Sequence, residues 1–203
     1  MEKLLARHIK NNLGIYMVIF FFFLGGIVFG TISLNFLGEQ QLIQLAAYLD
    51  NLLRQFNTGT IKSDNLFYHA ALDALQETGL IWFLGLTVIG IPLIIIFVFI
   101  KGFVLGFTVG FLIKQKAVHG LALSLTAVMP ANLLQIPALF LAAMLGISFS
   151  TGLIRGRIWE RGILPGLLNY SLCMLLVAVL LAGGGLVEAY LAPVFIRLVL
   201  AYI

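Results

Sequence analysis

The chain has 203 residues, 62% hydrophobic and only 10% charged, whereas a soluble globular domain carries about 25% charged residues. Its 12 basic and 8 acidic side chains are clumped, leaving uncharged runs over Asn11–Gly38, Thr78–Ile100, Ala117–Ile154 and Gly162–Val187. A helix needs about 20 apolar residues to cross the hydrocarbon core of a bilayer, so the composition excludes a water-soluble enzyme and indicates an integral membrane protein.

In chain order, Met1–Asn12 is short and basic, with Lys3, Arg7 and Lys10 against Glu2. The apolar run Leu13–Leu34 is longer than the roughly 7–15 residue core of a secretory signal and ends in Asn35 without a cleavage site. It is expected to be an uncleaved first transmembrane helix. Residues 35–79 form the one extended polar stretch, with two bases against five acids and a net charge of −3. Leu42, Leu45, Leu49, Leu52 and Phe56 recur at helical spacing between Gln41, Gln44, Asn51 and Gln55, which gives an amphipathic helix. The sequence from Asn57 to Thr60 is expected to break it, and Ser63 or Asp64 to cap a second helix running toward Glu77.

A second span is expected over Leu80–Ile100, kinked at Gly90, Ile91 and Pro92. Gly102–Ile113, between Lys101 and Lys114, is short for a crossing. It reads as a half-helix, a re-entrant segment or one end of a longer span. Leu121–Thr151 suits one broken span or a hairpin, with Pro130 and Pro137 at the break. Pro165–Ala182 reads as another span, Gly183–Gly185 as a turn and Val187–Ile203 as a last apolar helix. Short cytoplasmic loops carry an excess of Lys and Arg. The bases at the N-terminus, Lys101, and Arg155, Arg157 and Arg161 therefore place the N-terminus in the cytoplasm and residues 35–79 outside. The expected fold is an all-α polytopic bundle of five to six spans, a single membrane domain over residues 1–203.

Few side chains invite chemistry. The single cysteine, Cys173, has no partner for an intrachain disulfide. His8, His69 and His119 stand apart, without the three or four convergent ligands a metal needs, and no cofactor is expected. No serine sits in a Gly-x-Ser-x-Gly elbow, and the basic residues sit beside membrane segments rather than on a nucleic-acid-binding face. Catalysis is not expected. Gly102, Gly106 and Gly110 repeat every fourth residue, and Gly26 and Gly30 repeat that spacing. Such stripes let helix backbones approach in lipid, within one subunit, against another copy in a homo-oligomer, or against another chain. Pro130, Asn132, Gln135 and Pro137 make the most polar and interrupted stretch at membrane depth, where Asn132 and Gln135 can satisfy freed carbonyls or face a cavity. In transporters such breaks form substrate sites. Glu188 and Arg197 are nine residues apart, on opposite faces of the last segment; an ionisable residue there is either near a membrane surface or functional.

Three stretches occur in order: WFLGLTVIGIP from Trp82 to Pro92, KGFVLGFTVGFL from Lys101 to Leu112, and PANLLQIP from Pro130 to Pro137. With the Phe-rich first span Phe20–Gly30 and the acidic segment, they resemble the stage II sporulation protein M family over about residues 13–200. The resemblance implies a multi-pass protein of endospore-forming bacteria, in the mother-cell membrane at the septum during engulfment of the forespore. It implies a non-enzymatic scaffold in complex with an amidase/endopeptidase and a lytic transglycosylase that remodel peptidoglycan, and it carries over no catalytic residue. Partner contacts are expected on residues 39–57, with Leu42, Leu45, Leu49 and Phe56, and on the stripe 102–110. The rival classes are a transporter using the Pro130–Pro137 break and an intramembrane enzyme using Glu188 or the external aspartates.

Overall fold

The computed structural model describes residues 13–58, 63–156 and 163–201, and all of its regular structure is helical. The helices are α1 (Leu13–Ser33), α2 (Glu39–Thr58), α3 (Ser63–Gly85), α4 (Gly90–Leu123), α5 (Met129–Ile154) and α6 (Ile163–Ala201). A π-helical turn, Ser124–Val128, joins α4 to α5. Four segments are long and apolar enough to cross a membrane: Leu13–Ser33, Gly90–Gln115, Met129–Ile154 and Ile163–Val187. Exposed Phe21, Phe29, Ile96, Leu133, Leu172 and Val179 on these helices give them the apolar outer surface that lipid requires.

In lipid, apolar burial provides little drive for helices to associate, so close backbone contact has to provide it. Gly26 lies against the backbone of Phe99 and Phe103, and Gly30 against Phe103 and Phe107. From the other side, Gly102 meets the Phe23 carbonyl and Gly106 the backbone of Ile27. A Cβ at any of these four glycines would fall on backbone atoms of the facing helix. Gly110 is looser, with a Cβ there 2.8 Å from a Leu34 methyl. Residue numbers rise together on both helices, so α1 and α4 run parallel. Thr31 Oγ1 adds a hydrogen bond to the Gly106 carbonyl, and Lys114 Nζ donates to the Leu34 carbonyl at the end of α1.

The pairs α3–α6, α5–α6 and α4–α5 are antiparallel. Along α3 and α6, Gly185 lies against Ala70 and Trp82 Nε1 donates to Ser171 Oγ at 3.0 Å. Along α5 and α6, Gly184 lies against Gln135, and the rings of Phe149 and Tyr170 stack 4.4 Å apart. Along α4 and α5, Gly146 meets Ile94. Ile81, Ile94, Val98, Ala142, Ala143 and Met144 are fully buried where these helices meet.

Several expected boundaries move. Leu80–Ile100 is not one span: a tight turn over 86–89 divides it, with Leu80–Gly85 ending α3 and Gly90 opening α4. Thr87 Oγ1 bonds the Leu84 carbonyl there. Pro92 falls in the first turn of α4, where its missing N–H costs nothing, so it starts a helix rather than kinking one. Gly102–Ile113 is accordingly neither a half-helix nor re-entrant but the second half of one span, and Lys101 is not at a membrane boundary. The chain reverses at Ala117, with φ 47° and ψ −117°, which brings Gly120 back against Leu112. From there the helix runs through the π turn and both prolines to Ile154, so Leu121–Thr151 is not a hairpin. Gly183–Gly185 is no turn either: α6 is continuous for 39 residues, about 58 Å at 1.5 Å per residue. Gly156, at φ 71°, ends α5, where L side chains are disfavoured. Residues 1–12, 59–62, 157–162 and 202–203, with the basic N-terminus and Arg157 and Arg161, lie outside the described residues.

Replacing Gly26, Gly30, Gly102 or Gly106 with Ala is expected to destabilise the bundle by roughly 1–3 kcal/mol each through overpacking. Gly14→Ala and Gly183→Ala, with open space at Cβ, should be neutral or better, since Ala favours helix over Gly by about 1 kcal/mol. Ala117→Gly should stabilise by about 1 kcal/mol, because a non-glycine residue is strained at that φ. The temperature at which the detergent-solubilised chain loses its monodisperse elution peak ranks these variants.

Candidate functional site

Three helices bring polar side chains to one small cleft in the bundle interior. On α4, Lys101 lies 11 residues from the start of a 26-residue span, about 16 Å along it and near its middle. It shares a helix face with the core residues Ile94 and Val98 rather than with the exposed Leu93, Ile96, Ile100 and Val104. On α3, Glu77 lies beside the buried Ala74, Thr78 and Ile81. The turn at 86–89 folds α3 back along α4 and sets Glu77 opposite Lys101. Lys101 Nζ donates to Glu77 Oε2 at 2.5 Å, with the ammonium also 5.7 Å from the Phe97 ring centroid. The Glu77 side chain is 12% exposed and that of Lys101 42%.

From α5, Asn132 and Gln135 line the same small cleft, with Phe23, Ile136 and Leu139. Pro130 sits in the first turn of α5 and Pro137 inside it, so two backbone donors are missing from this run. Asn132 Nδ2 donates to the Val128 carbonyl at 2.7 Å, and Thr126 Oγ1 to that of Ala122 at 2.7 Å. Each of these side chains bonds the carbonyl four residues before it, in or beside the π turn. The cleft is about 40 Å³, room for roughly three waters by the volume one water needs.

A single charge at the centre of a transmembrane helix costs about 2.5–3.5 kcal/mol on insertion scales. Pairing Glu77 with Lys101 removes the net charge and leaves a dipole that water and carboxamides can solvate. Intramembrane ionisable residues that face a bundle interior mark functional sites by default.

Of the residues singled out in the sequence, Asn132 and Gln135 join this site, while Pro130 and Pro137 shape its backbone. Gly102, Gly106 and Gly110 lie instead against α1. Leu42, Leu45 and Leu49 are half-buried on α2, which touches α6, whereas Ile43 and Tyr48 on its other face are exposed. The side chains of Phe56, Glu188 and Arg197 lie outside the described ones, though all three residues are helical. Among the described residues no three His, Cys, Asp or Glu gather as metal ligands, and Cys173 is half-buried on α6.

Glu77 and Lys101 as a pair were not legible in the sequence, where Glu77 fell in the polar segment and Lys101 at a membrane edge. Their common distance from residue 89 is the usable signal once the turn is known to lie at 86–89.

The model of one protein family, stage II sporulation protein M, matches residues 18–193. The chain belongs to this family. Membership makes it a sporulation-related membrane protein, and the match takes in every residue that lines the cleft. No curated protein and no solved structure matches the chain.

Glu77→Gln or Lys101→Met alone should destabilise the bundle by roughly 3 kcal/mol, because each leaves the other charge of a partly buried pair without its partner. The double variant should recover most of that loss, and the exchanged pair Glu77→Lys with Lys101→Glu should recover part of it. Thermal stability in detergent and abundance in membranes measure both.

Proposed function

We propose that the chain is a non-enzymatic membrane scaffold that positions peptidoglycan hydrolases for septal wall remodelling during engulfment. The expected partners are an amidase/endopeptidase and a lytic transglycosylase. The observation that carries this reading is membership of the stage II sporulation protein M family across 18–193. Three physical features support it. The glycine stripes hold α1 and α4 in a fixed close contact, the interior cleft is too small for a solute, and α2 offers a face for contact. That face carries Ile43 and Tyr48, 67% and 64% exposed, with Phe36 just before the helix at 84%.

In this reading the chain crosses the membrane five times. Since α1 and α4 are parallel, an odd number of crossings separates them, and α3 supplies it despite Asp73 and Glu77. With the N-terminus cytoplasmic, α2 is then external, Arg155 is internal, and α4, α5 and α6 cross outward, inward and outward. The mother-cell membrane at the sporulation septum is the proposed location.

A transporter is the second reading, favoured by the mid-depth ion pair beside the Pro130–Pro137 break. Tagging the chain, cross-linking sporulating cells and identifying what co-purifies separates the two. The scaffold reading expects both hydrolases at comparable abundance, and several-fold less of each with Ile43→Glu and Tyr48→Glu together at unchanged membrane abundance. Recovery of an ATPase subunit and neither hydrolase would favour the transporter.

A further inference from the structure

The bundle interior differs between its two ends. Toward the end that holds the 86–89 turn and Arg155, every interior position next to the ion pair is sealed. Val98, Ile94, Ile81, Ala142, Ala143 and Met144 are all 0% exposed. Beyond them Tyr170 stacks on Phe149 and donates to the Trp82 carbonyl at 3.1 Å. That end is dry and packed.

The end that carries α2 is different. α5 runs from that end toward the turn, so Asn132 and Gln135 lie nearer α2 than Leu139 and Ala142 do. The register agrees: Gln135 is level with Gly184, fourteen residues and about 21 Å beyond Tyr170 at the sealed end of α6. The lining of the cleft thus rises from Glu77 and Lys101 at mid-depth through Leu139 and Ile136 to Gln135 and Asn132. Above it the helix is widened by the Ser124–Val128 π turn, a local opening often found at functional sites. Lys101 keeps 42% of its side chain accessible although its helix face is the interior one. A part-accessible side chain that ends in an ammonium at mid-depth needs a polar medium at its tip, and hydrocarbon supplies none.

We propose that the cleft is an aqueous vestibule, entered from the α2 end of the bundle, that binds water at Glu77 and Lys101 and is closed toward the opposite face by the Ile81–Ile94–Val98–Ala142 plug. Its ligand is water. About 40 Å³ holds roughly three waters, and Glu77, Lys101, Asn132 and Gln135 supply the two to four polar partners each water needs. The ion pair at the centre of the membrane is thereby in contact with the solution on one face only. This holds whether the chain positions partners or carries a solute, and it rests on the proposed crossing of α3.

Side-specific cysteine labelling of the full chain in membranes tests it. In a Cys173→Ala background, Asn132→Cys, Gln135→Cys and Ala142→Cys would each be treated with a membrane-impermeant thiosulfonate, added to right-side-out or to inverted vesicles. A monodisperse elution peak shows that each variant folds, and denaturation confirms that each thiol can react. Positions 132 and 135 should label from the α2 face about an order of magnitude faster than from the other, and position 142 from neither. Equal or faster labelling of 132 and 135 from the opposite face would overturn the proposal. So would labelling only by a membrane-soluble maleimide, which would mean that acyl chains fill the cleft. Labelling of position 142 as fast as 135 would remove the plug.

Discussion

The parallel contact of α1 with α4 is the constraint on which the rest of the architecture depends. Helices in lipid gain little from apolar burial, so a tight pairing needs residues that let backbones meet. Gly26 and Gly30 on one helix and Gly102 and Gly106 on the other supply that in both directions. Once these two helices run the same way, the intervening chain has to return. α2 is too polar to cross the hydrocarbon core, whereas α3 lies antiparallel along α6 through the depth of the bundle. Direction alone thus draws a helix with Asp73 and Glu77 among the apolar ones.

That return path creates an electrostatic demand that the sequence meets locally. Glu77 arrives beside the core, and Lys101, directly across the 86–89 turn, neutralises it. Hydrogen bonds at the turn end of the bundle hold this hairpin in register. Ser150 Oγ donates to the Thr87 carbonyl at 2.8 Å, and Tyr170 and Ser171 bind α3 to α6. Specificity in this fold comes from small residues, the Glu77–Lys101 ion pair and a few hydroxyls at chosen positions, while many large apolar side chains face outward.

The class of fold, the first span, the amphipathic helix from about 39 to 58 and the start of α3 near Ser63 were all legible in the sequence, because composition and helical period report them directly. The helix boundaries inside long apolar stretches were not. Gly90 and Pro92 suggest a kink, but the same residues suit the opening turn of a new helix, and only the packing of α3 against α6 distinguishes the two. Gly183–Gly185 resembles a turn in sequence, yet in α6 the second and third glycines admit Gln135 and Ala70 at close range. Ala117 carries no turn signal at all, since its backbone conformation is one usually left to glycine. The polar break at 130–137 was visible as a candidate site. Its charged partners were hidden, because their proximity depends on where the chain turns.

The return of α3 across the membrane is the central claim, and the sidedness of its two ends tests it most directly. Gly38 and Val88 are both exposed and lie just before α2 and just after α3. Single cysteines at these positions in a Cys173→Ala background would be labelled with an impermeant reagent on intact cells and on inverted vesicles. The account expects Gly38→Cys to react only in intact cells and Val88→Cys only in inverted vesicles. Reaction of both from the same face would contradict it, and with it the placement of Glu77 and Lys101 at membrane depth.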